Sequence, residues 1–71
     1  MNDAQTLRID SYSRFDSLMK AKGVSAYRVA KDLDITQSTL SDWKSGRSMP
    51  KTDKLSKIAE YFGVTIEYFV T

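Results

Sequence analysis

The sequence predicts an all-α fold, a compact bundle of five short helices with a central helix-turn-helix, and three observations carry that prediction. The stretch Ser25 to Gly46, SAYRVAKDLDITQSTLSDWKSG, reads as two short helices with only Asp34 and Ile35 between them, and helices so closely joined must cross steeply. On either side of it, apolar residues recur at the spacing of a helix buried along one face. Gly23 and Gly63 stand just past those stripes, where a chain leaving a helix most often needs a left-handed residue. No strand, internal repeat, low-complexity tract or linker is visible, so residues 11–71 read as one helix-turn-helix domain behind an arm, residues 1–10.

The arm carries no helical stripe and is expected to be mobile, although Leu7 and Ile9 alternate with polar residues and would otherwise cover one edge of the core. The first helix is expected to start at Asp10 or Ser11, either of which can cap it, and to run to Lys22 with Tyr12, Phe15, Leu18 and Met19 on one side. Gly23 ends it, and Lys20 and Lys22 complement the dipole of its last turn. The second helix follows the N-cap Ser25 and buries Val29, Ala30 and Leu33; the third follows Thr36 and buries Leu40 and Trp43. Asp34, in the turn, is one of the few non-glycine types that tolerate a left-handed backbone. The run Ser45-Gly46-Arg47-Ser48-Met49-Pro50 contains two breakers and reads as a loop. A fourth helix, from about Lys51 to Phe62, places Leu55, Ile58, Ala59 and Phe62 on one face and stops at Gly63. Thr65 can cap a last short helix, Ile66 to Val70, with Glu67 in its first turn.

Composition narrows the function. With 71 residues the chain is one small domain, near the size at which a single core barely suffices. It has no cysteine and no histidine, which excludes disulfides, the usual zinc sites and any Ser/His/Asp or Cys/His nucleophile; no metal, cofactor, small-molecule ligand or catalytic residue is expected, and the chain is not expected to be an enzyme. Ser-x-x-Lys occurs as Ser17/Lys20, Ser41/Lys44 and Ser48/Lys51, and three hits in so short a chain read as chance. No apolar run is long enough for a membrane span or signal peptide, so a cytoplasmic location is expected. The formal charge of +2 is small, but Lys44, Arg47, Lys51, Lys54 and Lys57 face a single acid, Asp53, in the segment after the third helix. A charge run alone is a solvated helix face; next to a helix-turn-helix it reads as a nucleic-acid footprint.

The exposed side of the third helix would present Gln37, Ser38, Ser41, Asp42 and Lys44, short polar groups suited to reading base edges. Gln37 stands out, because its amide matches N6 and N7 of adenine and it lies in the first turn of that helix. Trp43 can stack on a base, but its spacing from Leu40 assigns it to the core. Tyr27, just off the apolar stripe of the second helix, either reaches a phosphate with its hydroxyl or covers the core edge.

The segments FDSLMKAKGVSAYRVAKDLDITQSTLSDWKSGRSMP and DKLSKIAEYFGVTIEYFV, with their helix-turn-helix, Trp-x-x-Gly, Pro and closing Gly-Val-Thr-Ile-Glu-Tyr in order, resemble the Cro/cI-type (XRE-like, phage-repressor-like) helix-turn-helix family. These are DNA-binding domains of phage repressors and many bacterial regulators. The resemblance covers nearly all of the chain after Ser11. It implies a lambda-repressor-like bundle whose third helix enters the major groove, with Thr36, Gln37, Ser38 and Asp42 facing bases and Ser45, Arg47, Ser48 and Lys51 gripping phosphate. The start of the second helix, Ser25 and Tyr27, and Lys44 are further expected phosphate contacts. The chain departs from the family pattern at Ala26, where the family often has a phosphate-binding Gln, at Asp34 in place of the turn glycine, and at Met19 and Lys44, where the family often has an Arg paired with a Glu.

The expected function is therefore sequence-specific double-stranded DNA binding by a transcription regulator, a repressor that occupies an operator. The alternatives are a helical protein-interaction module and a non-specific nucleic-acid binder. A homodimer on DNA is expected, with Ile66, Tyr68, Phe69 and Val70 at its contact, because these apolar residues are too many for one short helix to bury within its own domain.

Overall fold

The computed structural model describes residues 3–70, with side chains from Asp10 onward. It consists of α1 (Asp3–Lys22), α2 (Ala26–Leu33), α3 (Gln37–Ser45), α4 (Thr52–Phe62) and α5 (Glu67–Val70), with no strand among the described residues. The expected all-α fold and its central helix-turn-helix are present. Helix α1 packs against α5 and α3, and α2 packs against α3 and α4, so α3 is held on two sides while a third stays open.

One boundary is corrected. Helix α1 begins at Asp3 rather than at Asp10 or Ser11, so residues 3–10 lie within the helix. The physical reason is that nothing in this stretch breaks a helix: no glycine or proline precedes Gly23, and Ala4, Gln5, Leu7 and Arg8 are good helix formers. Ser11 does not cap the helix. It is fully buried and accepts the Trp43 indole N–H at 2.7 Å. The side chains of Leu7 and Ile9 lie outside the described residues.

The core is an aromatic cluster around Trp43. The Phe15 ring stacks on the indole at 4.9 Å, and Tyr12 and Phe69 meet it edge-on at 5.6 and 5.8 Å. Met19, Val29, Ala30, Ile35, Leu40, Leu55, Ile58 and Ala59 complete the buried set. Phe69 is thus a core residue, which corrects its assignment to a dimer contact: one face of α5 seals the bundle through Phe69, and of the four residues expected at that contact Tyr68 and Val70 stay exposed while Ile66 is partly buried. Arg14 fixes this short helix further, its Nη1 donating to the Tyr68 carbonyl at 2.9 Å.

The turn between α2 and α3 is made by three consecutive residues. Asp34 takes the left-handed conformation at φ 56°, and the N–H groups of Asp34 and Ile35 close back on the Lys31 and Ala30 carbonyls. Ile35 drops into the core at 6% exposure, and Thr36 starts α3. The missing turn glycine therefore leaves the geometry intact, because an aspartate fills the same backbone region.

Across the bundle from α3, Asp32 ties α2 to α4. It accepts the Tyr61 hydroxyl at 2.8 Å and the Arg28 Nε–H at 3.0 and 3.1 Å, while Lys22 Nζ sits 5.1 Å from the Tyr61 ring centre. The Tyr61 bond, then the Arg28 bond, hold the Asp32 carboxyl below its ordinary value, and the same Asp32 bond raises the Tyr61 phenol.

Two outcomes are expected. Ser11→Ala leaves a buried indole N–H without its partner and should lower unfolding free energy by about 1–3 kcal/mol in a urea titration followed by tryptophan fluorescence. Tyr61→Phe should lower the urea midpoint at neutral pH by an amount that depends on pH at both ends. A depressed carboxyl stabilises above its unfolded value and loses that contribution as pH falls, so the deficit should close below pH 3.8. A raised phenol stabilises below its unfolded value and loses it as pH rises, so the deficit should close again past pH 10.0.

Candidate nucleic-acid interface

The open side of α3 carries two parallel strips, set by helical spacing. Gln37, Ser41 and Lys44 form the strip nearer α1, and with Tyr12, Ala26 and Leu40 they line a cleft of about 190 Å³. Ser38, Asp42 and Ser45 form the other, which runs toward the loop after α3. Leu40 and Trp43 point the opposite way, into the core, and this anchoring orients both strips.

The expected base-reading residues differ in what already occupies them. Thr36 is the N-cap of α3: its hydroxyl accepts the Thr39 N–H at 3.3 Å and lies 2.9 Å from the Thr39 hydroxyl. Gln37, Ser38 and Ser41 are exposed, and their side chains have no hydrogen-bond partner among the described residues. Asp42 is half-buried, and its carboxylate takes the Arg47 guanidinium at 3.0 Å. The Asp42 carbonyl also accepts the N–H groups of Arg47 and Ser48 and the Ser45 hydroxyl. Asp42 and Arg47, read from sequence as a base reader and a phosphate contact, are therefore partners that brace the start of the loop. Nothing but their five-residue spacing across a glycine hinted at this.

The basic run also divides. Lys44 faces the α1 cleft, while Lys51 and Lys54 line a second cleft of about 270 Å³ with Thr39, Asp42, Ser48 and Asp53, where α3, the loop and α4 converge. Lys57 lies away from both, beside Leu33, Glu60 and Tyr61. At the start of α2, Ser25 caps the helix by accepting the Arg28 N–H at 3.1 Å. Tyr27 stands 61% exposed beside it, so it does not cover the core edge. The structure thus gathers Gln37, Ser41 and Lys44 along one strip, sets Ser38, Asp42, Ser45, Arg47, Ser48 and Lys51 along the other, and places Ser25 and Tyr27 at the rim.

Clefts on both flanks of α3, one with Lys44 and the other with Lys51 and Lys54, and free polar groups between them suit a helix that enters a groove between phosphate rows. Residues 17–69 match the helix-turn-helix family model. The chain belongs to the helix-turn-helix family. Its Cro/cI-type members, which the sequence resembles, are DNA-binding domains of transcription regulators. The chain is similar to the HTH-type transcriptional activator BcrR of Enterococcus faecalis, at 28% identity over 54 residues, which are 76% of this chain and 26% of that protein. The chain thus spans about a quarter of the length of this relative. No solved structure matches it. Among the described residues, no helix is long and apolar enough to cross a membrane.

Stability should separate the scaffold from the free polar groups of α3. Thr36→Ala removes a cap and should cost about 0.5–2 kcal/mol, whereas Gln37→Ala and Ser41→Ala should stay within about 0.5 kcal/mol of the parent in the same urea titration.

Proposed function

We propose that this domain binds double-stranded DNA sequence-specifically, as two copies on an inverted repeat, and that it serves a transcription repressor of phage or bacterial type by occupying its operator. The observation that carries the reading is the state of α3. Its inner face is locked on the core through Leu40 and Trp43, while Gln37, Ser38 and Ser41 are exposed and unengaged on the outer one. Gln37, Ser38, Ser41 and Asp42 read base edges, with Thr36 at the helix start; Ser25, Tyr27, Lys44, Ser45, Arg47, Ser48 and Lys51 meet phosphates. Arg47 is shared, since an exposed ion pair with Asp42 is worth at most about 1 kcal/mol and yields to a phosphate. The exposed part of α5, Tyr68 and Val70 with Ile66, supplies the contact between the two copies. The protein works in the cytoplasm, at the nucleoid, and this domain needs no cofactor or small-molecule ligand.

Activation is the second reading, favoured by the name of the relative in Enterococcus faecalis. A reporter with the binding site placed over or upstream of a promoter distinguishes the two.

The reading is tested by selecting sites from a pool of random duplexes. Enrichment of one short inverted repeat, with a footprint over both half-sites about one helical turn apart, supports it. Uniform retention of the pool overturns it in favour of a non-specific binder, and no retention in favour of a protein-interaction module. On the selected site, Gln37→Ala should cost about 1–3 kcal/mol in a titration and flatten the preference at one base pair per half-site, with little loss on random duplex. Equal loss on both would make Gln37 a positioning residue.

A further inference from the structure

The cleft between α1 and α3 has a feature that the helix-turn-helix alone does not supply. Its wall on the α1 side is Tyr12, and the short Ala26 side chain at the start of α2 leaves it open. The Tyr12 ring is pinned edge-on against Phe15 at 5.5 Å and Trp43 at 5.6 Å, so it cannot swing out without disturbing the core. Its hydroxyl has no hydrogen-bond partner among the described residues. Burial, and secondarily Asp16, raise the phenol above its ordinary value, so it stays a donor at any working pH. Asp16 itself is drawn to Lys20 at 2.8 Å. Across the cleft, Lys44 is exposed and has no acidic partner among the described residues. A fixed neutral donor and an ammonium on opposite walls, at the positive end of α2, suit an anion. The cleft volume of about 190 Å³ also exceeds a water's share of about 30 Å³ several-fold, which leaves room for a phosphate group and bridging waters.

We propose that a backbone phosphate of the bound duplex seats in this cleft, held by the Tyr12 hydroxyl and the Lys44 ammonium, so that Tyr12 of α1 is a DNA-contacting residue. The inference rests on the DNA-binding reading above. The seat lies on the same strip as Gln37 and Ser41, so it fixes how far the first turn of α3 sinks into the groove.

The test is a double-mutant cycle of Tyr12→Phe and Lys44→Gln on a labelled mixed-sequence duplex, titrated over a range of salt concentrations. Tyr12→Phe keeps the ring and its packing. It should weaken binding roughly two- to tenfold with an unchanged log–log salt slope, because a neutral hydroxyl releases no counterion. Lys44→Gln should lower the slope by about one. Because both groups hold one phosphate, the double variant should lose clearly less than the product of the single losses. Unchanged affinity in Tyr12→Phe, or losses that simply multiply, would overturn the seat while leaving DNA binding intact. Absence of binding by the parent protein would overturn both readings together.

Discussion

Everything in this domain depends on the burial of Trp43. Its ring is the point at which α1, α3 and α5 meet, through Phe15, Tyr12 and Phe69, and its N–H is satisfied by Ser11 at 2.7 Å. Removing a buried tryptophan costs about 3–5 kcal/mol, while a domain of this length has only about 4–10 kcal/mol in total. One side chain thus decides whether the bundle exists. It also aims α3, since the groups on that helix's outer face are oriented only as well as the opposite face is anchored.

The outer face separates two kinds of polar residue that look alike in sequence. Ser25 and Thr36 spend their hydroxyls on helix N-termini and Ser45 spends its own on the Asp42 carbonyl within α3, whereas the side-chain polar groups of Gln37, Ser38 and Ser41 have no partner among the described residues. Asp42 and Arg47 are intermediate: paired with each other, but in an exposed contact that a stronger anion can displace. The charge of +2 therefore understates the local field, because Lys44 on one flank and Lys51 and Lys54 on the other are concentrated where a duplex would present its strands.

The helices from Ser25 onward were legible because short-range signals mark them: Ser25 and Thr36 as caps, Gly46 as a breaker, Gly63 as a helix stop, Leu55, Ile58 and Ala59 as a stripe. The start of α1 was misread because cap-type residues such as Asp10 and Ser11 also occur inside helices, and only tertiary contact shows that Ser11 serves Trp43 instead. Phe69 was misread for the same reason. Four residues of apolar character do not reveal which one turns inward. The bond between Tyr61 and Asp32 spans 29 positions and leaves no local trace, although the Arg28 and Asp32 pair, one helical turn apart, does. Tyr12 was recognised as part of a buried face, but nothing in its spacing showed that it would line an open cleft.

The turn Asp34-Ile35-Thr36 has a consequence for the thermodynamics of association. Each of its residues is already committed: one by a left-handed backbone closed on two carbonyls, one by burial, one by a cap. The angle between α2 and α3 is thus set before any partner arrives, and docking need not freeze a hinge. What a complex gains from contacts on α3 is then offset mainly by lost tumbling freedom and by immobilised Gln and Lys side chains, with little main-chain ordering to overcome. A partner surface must accordingly adapt to this angle, and where that partner is a duplex, any bending needed to meet it would cost deformation energy that depends on the sequence being bent.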